Sequence, residues 1–317
     1  MDEITQLVIT KLLYLLYNIL PVLIVAIIGA NILAELGLIQ RVVFLVRPLI
    51  RFARLPDEAG ISLITYIASA SGGAAMLASF HERKILDSKQ TIIGSILSNF
   101  FSFLNHAIIF FIPVAIPILG LTAGLLYVGS RFFISICVTV VAALAGHFML
   151  HAGDSESGGA QREKERDERT LEQKVKDGVK ASMKVLRRII PRLVIVYVLV
   201  AIALGLNLFE PLKSIDFAGI PGEASVIIAV GFADTVSGLA TAGSLLSEGT
   251  IAPIQAVIAL LLASLVSLSL VFFRHSLPGK IAYFGPKLGL KIAALTTLLD
   301  VIFTAIVVLV LLSVKII

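Results

Sequence analysis

Long apolar runs, rather than alternating ones, set the rhythm of this chain. VLIVAIIGANILAELGLI, IIGSILSNFFSFLNHAIIFFI, LVIVYVLVAIALGLNL, AVIALLLASLVSLSLVFF and IAALTTLLDVIFTAIVVLVLL are its main apolar stretches. Such runs approach the roughly 20 residues a helix needs to cross a hydrocarbon core of about 30 Å. A β-barrel would show short alternating segments instead. The pattern predicts an all-α, polytopic helical membrane protein. One stretch is out of character: GDSESGGAQREKERDERTLEQKVKDGVKASMKVLRR at 153–188 opens with Gly and Ser and continues in mixed charge. Acids and bases four apart, Glu165–Arg169 and Glu172–Lys176, support a solvated helical linker there. The chain thus divides into a first membrane repeat at 1–150, a charged cytoplasmic linker at 151–184 and a second membrane repeat at 185–317.

The two membrane halves read as copies. ARLPDEAGISLITYIASASGG (53–73) lines up with AGIPGEASVIIAVGFADTVSG (218–238), pairing Pro56 with Pro221, Glu58 with Glu223, Ala59 with Ala224 and, across one gap, Gly72 with Gly238. Further along, a constant shift of 169 pairs Ser95 with Ser264, Ser98 with Ser267, His106 with His275, Pro117 with Pro286, Gly120 with Gly289 and Arg131 with Asp300. Pro21 and Pro191 fall near the starts of the first apolar helices of their halves. Punctuation by Pro, Glu, Gly and His at nearly one spacing marks an internal repeat.

Composition agrees with the membrane reading. Of 317 residues, 58% are hydrophobic and 15% charged, against roughly 45–50% and about 25% in soluble domains. The N-terminal MDEITQLVITK lacks the basic n-region of a cleaved signal. The one cysteine, Cys137, excludes a disulfide within one chain. The net charge of +5 sits in loop lysines and arginines, which bear on topology and not on nucleic acid.

Those charges orient the halves. Arg41, Arg47, Arg51 and Arg54 follow the first span, Arg83, Lys84 and Lys89 follow the first P-x-E-A segment, and Arg274, Lys280, Lys287 and Lys291 lie between the last two spans. Segments 113–120, 207–222 and 246–250 hold one basic residue, Lys213. All clusters become cytoplasmic when 57–80 and 222–247 are broken re-entrant hairpins and the other three helices of each half cross. The N-terminus is then extracytoplasmic, and the second repeat is inverted relative to the first. Full crossing by both segments is the alternative, and it leaves at least one basic cluster on the far side. Inverted repeats with discontinuous helices form a recurring transporter plan, with the site near the midplane.

Candidate chemistry gathers at those two segments. SASGGAA (69–75) and DTVSGLATAG (234–243) are rich in small and hydroxyl residues, which permit close backbone approach and satisfy groups freed at a helix break. An ionised carboxylate at membrane depth costs roughly 2.5–3.5 kcal/mol on insertion scales, so Asp234 is expected to face a cavity or a partner. The substrate or ion site is therefore expected at Ser69, Ser71, Gly72 and Gly73 together with Asp234, Thr235, Ser237 and Gly238. A polar stripe at Ser95, Ser98, Asn99, Ser102, Asn105 and His106 runs down one helical face. Asn99 and Asn105 are its preferred pathway residues, with interhelical hydrogen bonding as the plainer alternative. Arg131 and Asp300 are expected to form a structural or gating ion pair, and Glu58 and Glu223 to sit as first-turn acids at the hairpin starts. No Walker sequence, H-E-x-x-H or C-x-x-C occurs, so neither a cofactor nor a bound metal is expected, and an enzyme is not.

The two P-x-E-A segments, PDEA at 56–59 and PGEA at 221–224, and the small-residue breaks after them carry a resemblance. The chain resembles archaeal and bacterial membrane proteins with paired Gate domains, also called nucleoside-recognition domains. The resemblance implies kinship with the membrane parts of concentrative nucleoside transporters and ferrous-iron permeases. It implies a substrate region around Ser69–Gly73 and Asp234–Gly238. The chain has no N-E-F-V-A-type segment, no cysteine in either hairpin and no GTPase domain. The expected function is a secondary transporter or permease in the cell membrane, moving a small polar solute or cation with sodium or proton coupling. Its expected partners are the lipid bilayer, that solute and, in a homo-oligomer, copies of itself. A non-transporting assembly or regulatory protein acting through the charged linker is the alternative.

Overall fold

The computed structural model describes residues 3–36, 46–150, 170–206 and 221–316. Among them every regular element is helical. Helix α1 (Glu3–Tyr14) passes through a π-helical turn, Leu15–Ile19, into α2 (Leu20–Glu35). Leu15, Ile19, Leu23 and Ile27 are buried, a row four residues apart that gives this long helix its inner face. A short α3 (Val46–Phe52) leads to α4 (Asp57–Ala68), α5 (Ala70–Glu82), α6 (Ser88–His106), a π turn at Ala107–Phe111, and α7 (Ile112–Met149). The second half runs α8 (Leu171–Gly205), α9 (Gly222–Ala233), α10 (Thr235–Ser247), α11 (Pro253–Val271), a π turn at Phe272–Ser276, and α12 (Leu277–Ile316).

Each of these π turns has one local cause. Pro21, Pro113 and Pro278 follow the turns at 15–19, 107–111 and 272–276. A proline ring displaces the carbonyl four residues before it, and in each case that carbonyl lies inside the π turn, which takes up the displacement.

Three helical stretches are long and apolar enough to cross a membrane: Ile4–Gly29, Ser88–Met149 and Leu277–Val314. Gly222–Phe232 and Pro253–Leu268 are shorter apolar helices. The protein is helical and of membrane type. Residues 151–169 of the charged run lie outside the described residues. The linker boundary drawn at 184 falls inside α8, whose charged first turns pack on α2. Ser182 is fully buried and donates to Ile27 O at 3.4 Å, while Gly178 abuts Ile32 so closely that a Cβ there would stand 2.9 Å from Ile32 Cα.

The order of elements recurs with a shift of 165, not 169. Helices α4, α5 and α6 begin at 57, 70 and 88, and α9, α10 and α11 at 222, 235 and 253. Gly120 interrupts α7 at φ 77° and ψ 170°; Gly285 interrupts α12 at φ 74° and ψ 170°. Gly120 therefore matches Gly285 and not Gly289, and Gly73, not Gly72, matches Gly238. The 169 alignment rested on isolated Ser, His and Pro coincidences, not on the order of elements. At both glycines the chain doubles back tightly: a Cβ on Gly124 would lie 2.7 Å from Ile116 Cα, and one on Gly289 2.7 Å from Ile281 Cα.

Two hydrophobic clusters form the interior. One surrounds the first hairpin with Ala59, Leu63, Tyr66, Leu77 and Phe101, and takes in Phe284 and Ile292 from α12. The other surrounds the second hairpin with Ala224, Ile227, Leu239 and Ala242, and takes in Val114, Ala115 and Ile118 from α7. Each half thus lends the region of its glycine bend to the other half's hairpin. Gly243 permits one such contact, since a Cβ there would lie 2.4 Å from Ile118 O.

Candidate functional site

Ser69 is the single non-helical residue between α4 and α5, at φ −153° and ψ 114°. Asp234 holds the same station between α9 and α10, at φ −157° and ψ 131°. Ser69 Oγ accepts from the Gly72 N–H at 3.1 Å. Asp234 Oδ2 accepts from the Ser237 N–H at 2.9 Å and from the Ser237 hydroxyl at 2.8 Å. Both residues cap the second arm of a broken helix, satisfying an orphan donor at the positive end of its dipole. The aspartate in an apolar segment thus has a local task. The second break uses a carboxylate where the first uses a hydroxyl.

The arms of each broken helix pack on one another. The Thr65 hydroxyl reaches Met76 Sδ at 3.5 Å across the first break. A Cβ on Gly73 would stand 2.3 Å from the Tyr66 ring, and one on Gly238 2.7 Å from Gly231 Cα. Gly72 faces no such wall, its nearest atom being Ser69 Oγ at 3.3 Å. Ser71 is exposed, its hydroxyl 3.1 Å from that of Ser69. Glu58 and Glu223 lie in the first turns of α4 and α9, after Pro56 and Pro221, and neither helix start carries a side-chain cap.

The expected site residues are not gathered at one point. The larger opening, a cavity of about 390 Å³, lies where α6, α7 and α12 meet. Helix α6 contributes Asn99, Ser102, Phe103 and His106 to its wall. Helix α7 supplies Arg131 and Ser135 one turn apart, and α12 supplies Thr296 and Asp300 one turn apart. Under the shift of 165, Arg131 matches Thr296 and Ser135 matches Asp300, so the two charges occupy different stations of the repeat. The polar atoms Asn99 Nδ2 and Thr296 Oγ1 are buried without a hydrogen-bond partner.

Arg131 and Asp300 do share this cavity, but the direct ion pair expected of them is absent. Among the described residues no N···O contact within 4.0 Å joins them, because the cavity lies between their helices. Neither side chain makes a hydrogen bond to a described residue. Asn105 is half-buried and lines neither this cavity nor the next.

A second cavity, about 60 Å³, shares Arg131 and Phe111 with the first. Gly231, Thr235, Ser264 and Ser267 line its other side. Gly231 corresponds to Tyr66, whose ring is buried in the first-half core. At the station that a phenol fills in the first half, the second has no side chain and α11 packs close, a Cβ on Gly231 standing 2.9 Å from Ala263 Cβ. Arg131 therefore stands between the polar face of α6 and the break of the second hairpin. Ser237 and Gly238 lie one turn beyond that break and outside both cavities.

Two lysines behave unlike the loop charges they resemble in sequence. Lys280, grouped with cytoplasmic basic residues by its place between spans, turns inward and donates to Ser95 Oγ at 3.0 Å, 6.0 Å from the Phe284 ring centre. Lys11 donates to Ser244 Oγ at 2.7 Å and pairs with Glu248, tying α1 to the end of α10. Sequence reasoning missed Ser135 and Thr296 as wall residues. Their signal was available: two polar side chains one turn from a charge in otherwise apolar helices.

Residues 16–122 match the Gate family, described as nucleoside recognition. Three proteins of Methanocaldococcus jannaschii are similar over nearly the whole chain. Uncharacterized protein MJ0880 is 25% identical over 90% of this chain and 93% of its own length. Uncharacterized protein MJ0871 is 24% identical over 87% of each, and Uncharacterized protein MJ1556 is 25% identical over 96% of this chain and 97% of its own. No solved structure matches the chain. From the first long helix to the bend at Gly120, the chain is thus similar to the Gate (nucleoside-recognition) family over residues 16–122.

Proposed function

We propose that the protein is a secondary transporter of the cell membrane that carries a small polar solute through the cavity between α6, α7 and α12. The observation that carries this reading is a cavity of about 390 Å³ lined by Asn99 and Thr296, whose Nδ2 and Oγ1 lie buried within its wall without a partner. Pockets for small ligands run from roughly 300 to 1,000 Å³ and hold a few placed polar groups in an apolar wall. Polar groups left unpaired in a membrane interior are costly, and a solute that bonds to them offsets that cost. The similarity of residues 16–122 to the Gate family supports this reading, since that domain is found in transporter-like membrane proteins.

In this reading the halves are inverted in the bilayer, and the broken helices at 57–80 and 222–247 are re-entrant. The N-terminus is extracytoplasmic and the charged segment 151–184 cytoplasmic, as the positive-inside tendency favours. Coupling by sodium or a proton falls to Asp234, beside Thr235 of the smaller cavity. The expected solute site thus moves from the hairpin tips toward the charges on α7 and α12; of the expected tip residues, Thr235 lines the smaller cavity and none lines the larger.

Alternating access can be tested before the solute is known. With Cys137 changed to Ala, Asn99→Cys places one thiol in the cavity wall. A membrane-impermeant maleimide should label it from either face of oriented vesicles. Labelling from one face only, under all conditions, would sink the transport reading.

A further inference from the structure

We propose that the solute of the larger cavity is a small zwitterion, its carboxylate set against Arg131 and its ammonium against Asp300. This rests on the transport reading and adds the charge pattern of what is carried. The side chains of Arg131 and Asp300 line one cavity, stay more than 4.0 Å apart and hydrogen-bond to no described residue. Opposite charges serving the fold alone would close on one another, because charges held apart at membrane depth are expensive. Kept apart by a cavity, they present a cation on one wall and an anion on the other.

The rest of the wall fits the same pattern. Asn99 Nδ2 is a donor without a partner, suited to a carboxylate. Thr296 Oγ1 is a buried hydroxyl one turn before Asp300, able to accept from an ammonium. Phe103, Phe111 and Ile134 supply the apolar part of a wall that Ser102, His106 and Ser135 also line, giving an apolar side chain a surface. An anion alone would leave Asp300 facing it, and a cation alone would face Arg131. A neutral sugar or nucleoside would leave both charges unpaired. Free amino acids and betaines have the required form.

The asymmetry of the repeat carries the same message. The stations equivalent to Arg131 and Asp300 are Thr296 and Ser135, both neutral and both in the same wall. A repeated frame has been given one charge of each sign at non-equivalent places, which makes the cavity polar along one direction. A head-to-tail dipolar solute is what such a cavity orients.

The test is thermal unfolding and isothermal binding on the full chain in detergent. The panel is glycine, L-leucine, L-phenylalanine and glycine betaine, with isocaproate (leucine without its amine), isoamylamine (leucine without its carboxylate) and uridine. At least one zwitterion should raise the unfolding temperature and bind tenfold or more tighter than its single-charge analogues. Asp300→Asn should abolish preference for the zwitterion over the carboxylate-only analogue, and Arg131→Gln should do so against the amine. Loss of one partner of a buried charge contact weakens binding by about thirtyfold or more. Asp300→Glu should recover part of it.

Stabilisation by uridine alone, or by no compound, overturns the zwitterion assignment. It leaves the transport reading to the maleimide labelling, which fails or succeeds independently. If both single variants unfold without ligand while Arg131→Asp with Asp300→Arg restores stability and binds nothing, the pair is structural and the proposal falls.

Discussion

Ser69 and Asp234 stand 165 positions apart and do the same thing: each is the extended residue of a broken helix, and each accepts a hydrogen bond from the backbone N–H three residues ahead. The pair separates a capping role from any role in ion coupling. Ser69→Ala and Asp234→Ala should each cost about 1 kcal/mol, the usual worth of an N-cap, read as a lowered unfolding temperature. Asp234→Ser, which copies the first half, should keep most of that stability. If Asp234 also couples a cation, the serine variant will stay folded yet lose its response to sodium or pH in a liposome uptake assay.

The three hairpin glycines should part company. Gly73→Ala and Gly238→Ala force a methyl group within 2.3 Å of the Tyr66 ring and 2.7 Å of Gly231 Cα. Overpacking of this kind costs about 1–3 kcal/mol, and backbone in the way raises the cost. Gly72→Ala meets nothing nearer than 3.3 Å and gains helix propensity of up to about 1 kcal/mol. Unfolding temperatures of the three variants should fall, fall and hold.

Gly120 and Gly285 test backbone strain without steric crowding. Neither has an atom within 4 Å of a built Cβ, yet φ of 77° and 74° with extended ψ is a conformation almost confined to glycine. Alanine at either should cost about 1–3 kcal/mol. Gly129→Ala, equally open but helical, should be neutral or stabilising. Equal behaviour of all three in a melt would refute the strain argument.

The Lys11–Glu248 pair is asymmetric in exposure, at 6% and 34% for the two side chains. Glu248→Gln leaves a buried ammonium with Ser244 Oγ as its remaining partner. Lys11→Met leaves a carboxylate that reaches solvent. The first should therefore destabilise more than the second, by about 1–3 kcal/mol once the buried-pair figure is reduced for the exposure of Glu248. Chemical denaturation of the two variants in the same detergent decides the order.

Much of the fold was legible because its breaks are written in residue types with narrow conformational meaning. PDEA and PGEA open α4 and α9, and the small-residue runs after them mark the true breaks at Ser69 and Asp234. The repeat register was legible only where such residues lie. Beyond the hairpins the alignment slipped by four, about one helical turn, so polar residues still landed on a plausible face. That slip paired Arg131 with Asp300 for the wrong reason, although both do line one cavity. Sequence could place them at similar depth, but not reveal the space between their helices. Lys280 and Lys11 were illegible for another reason: a lysine's direction depends on tertiary partners such as Ser95 and Ser244, and charge counting treats every lysine as facing out.

The exchange of bends between the halves has a consequence for how the chain is made. The first hairpin emerges early during synthesis, but its core is incomplete until Phe284 and Ile292 arrive, and Lys280 reaches Ser95 across 185 positions. Contacts so distant along the chain form late and slowly. A ribosome must deliver almost the entire polypeptide to the bilayer before the first broken helix has its final neighbours. Until then that segment is a waiting scaffold, and a truncated product would leave it open to the lipid or to quality control.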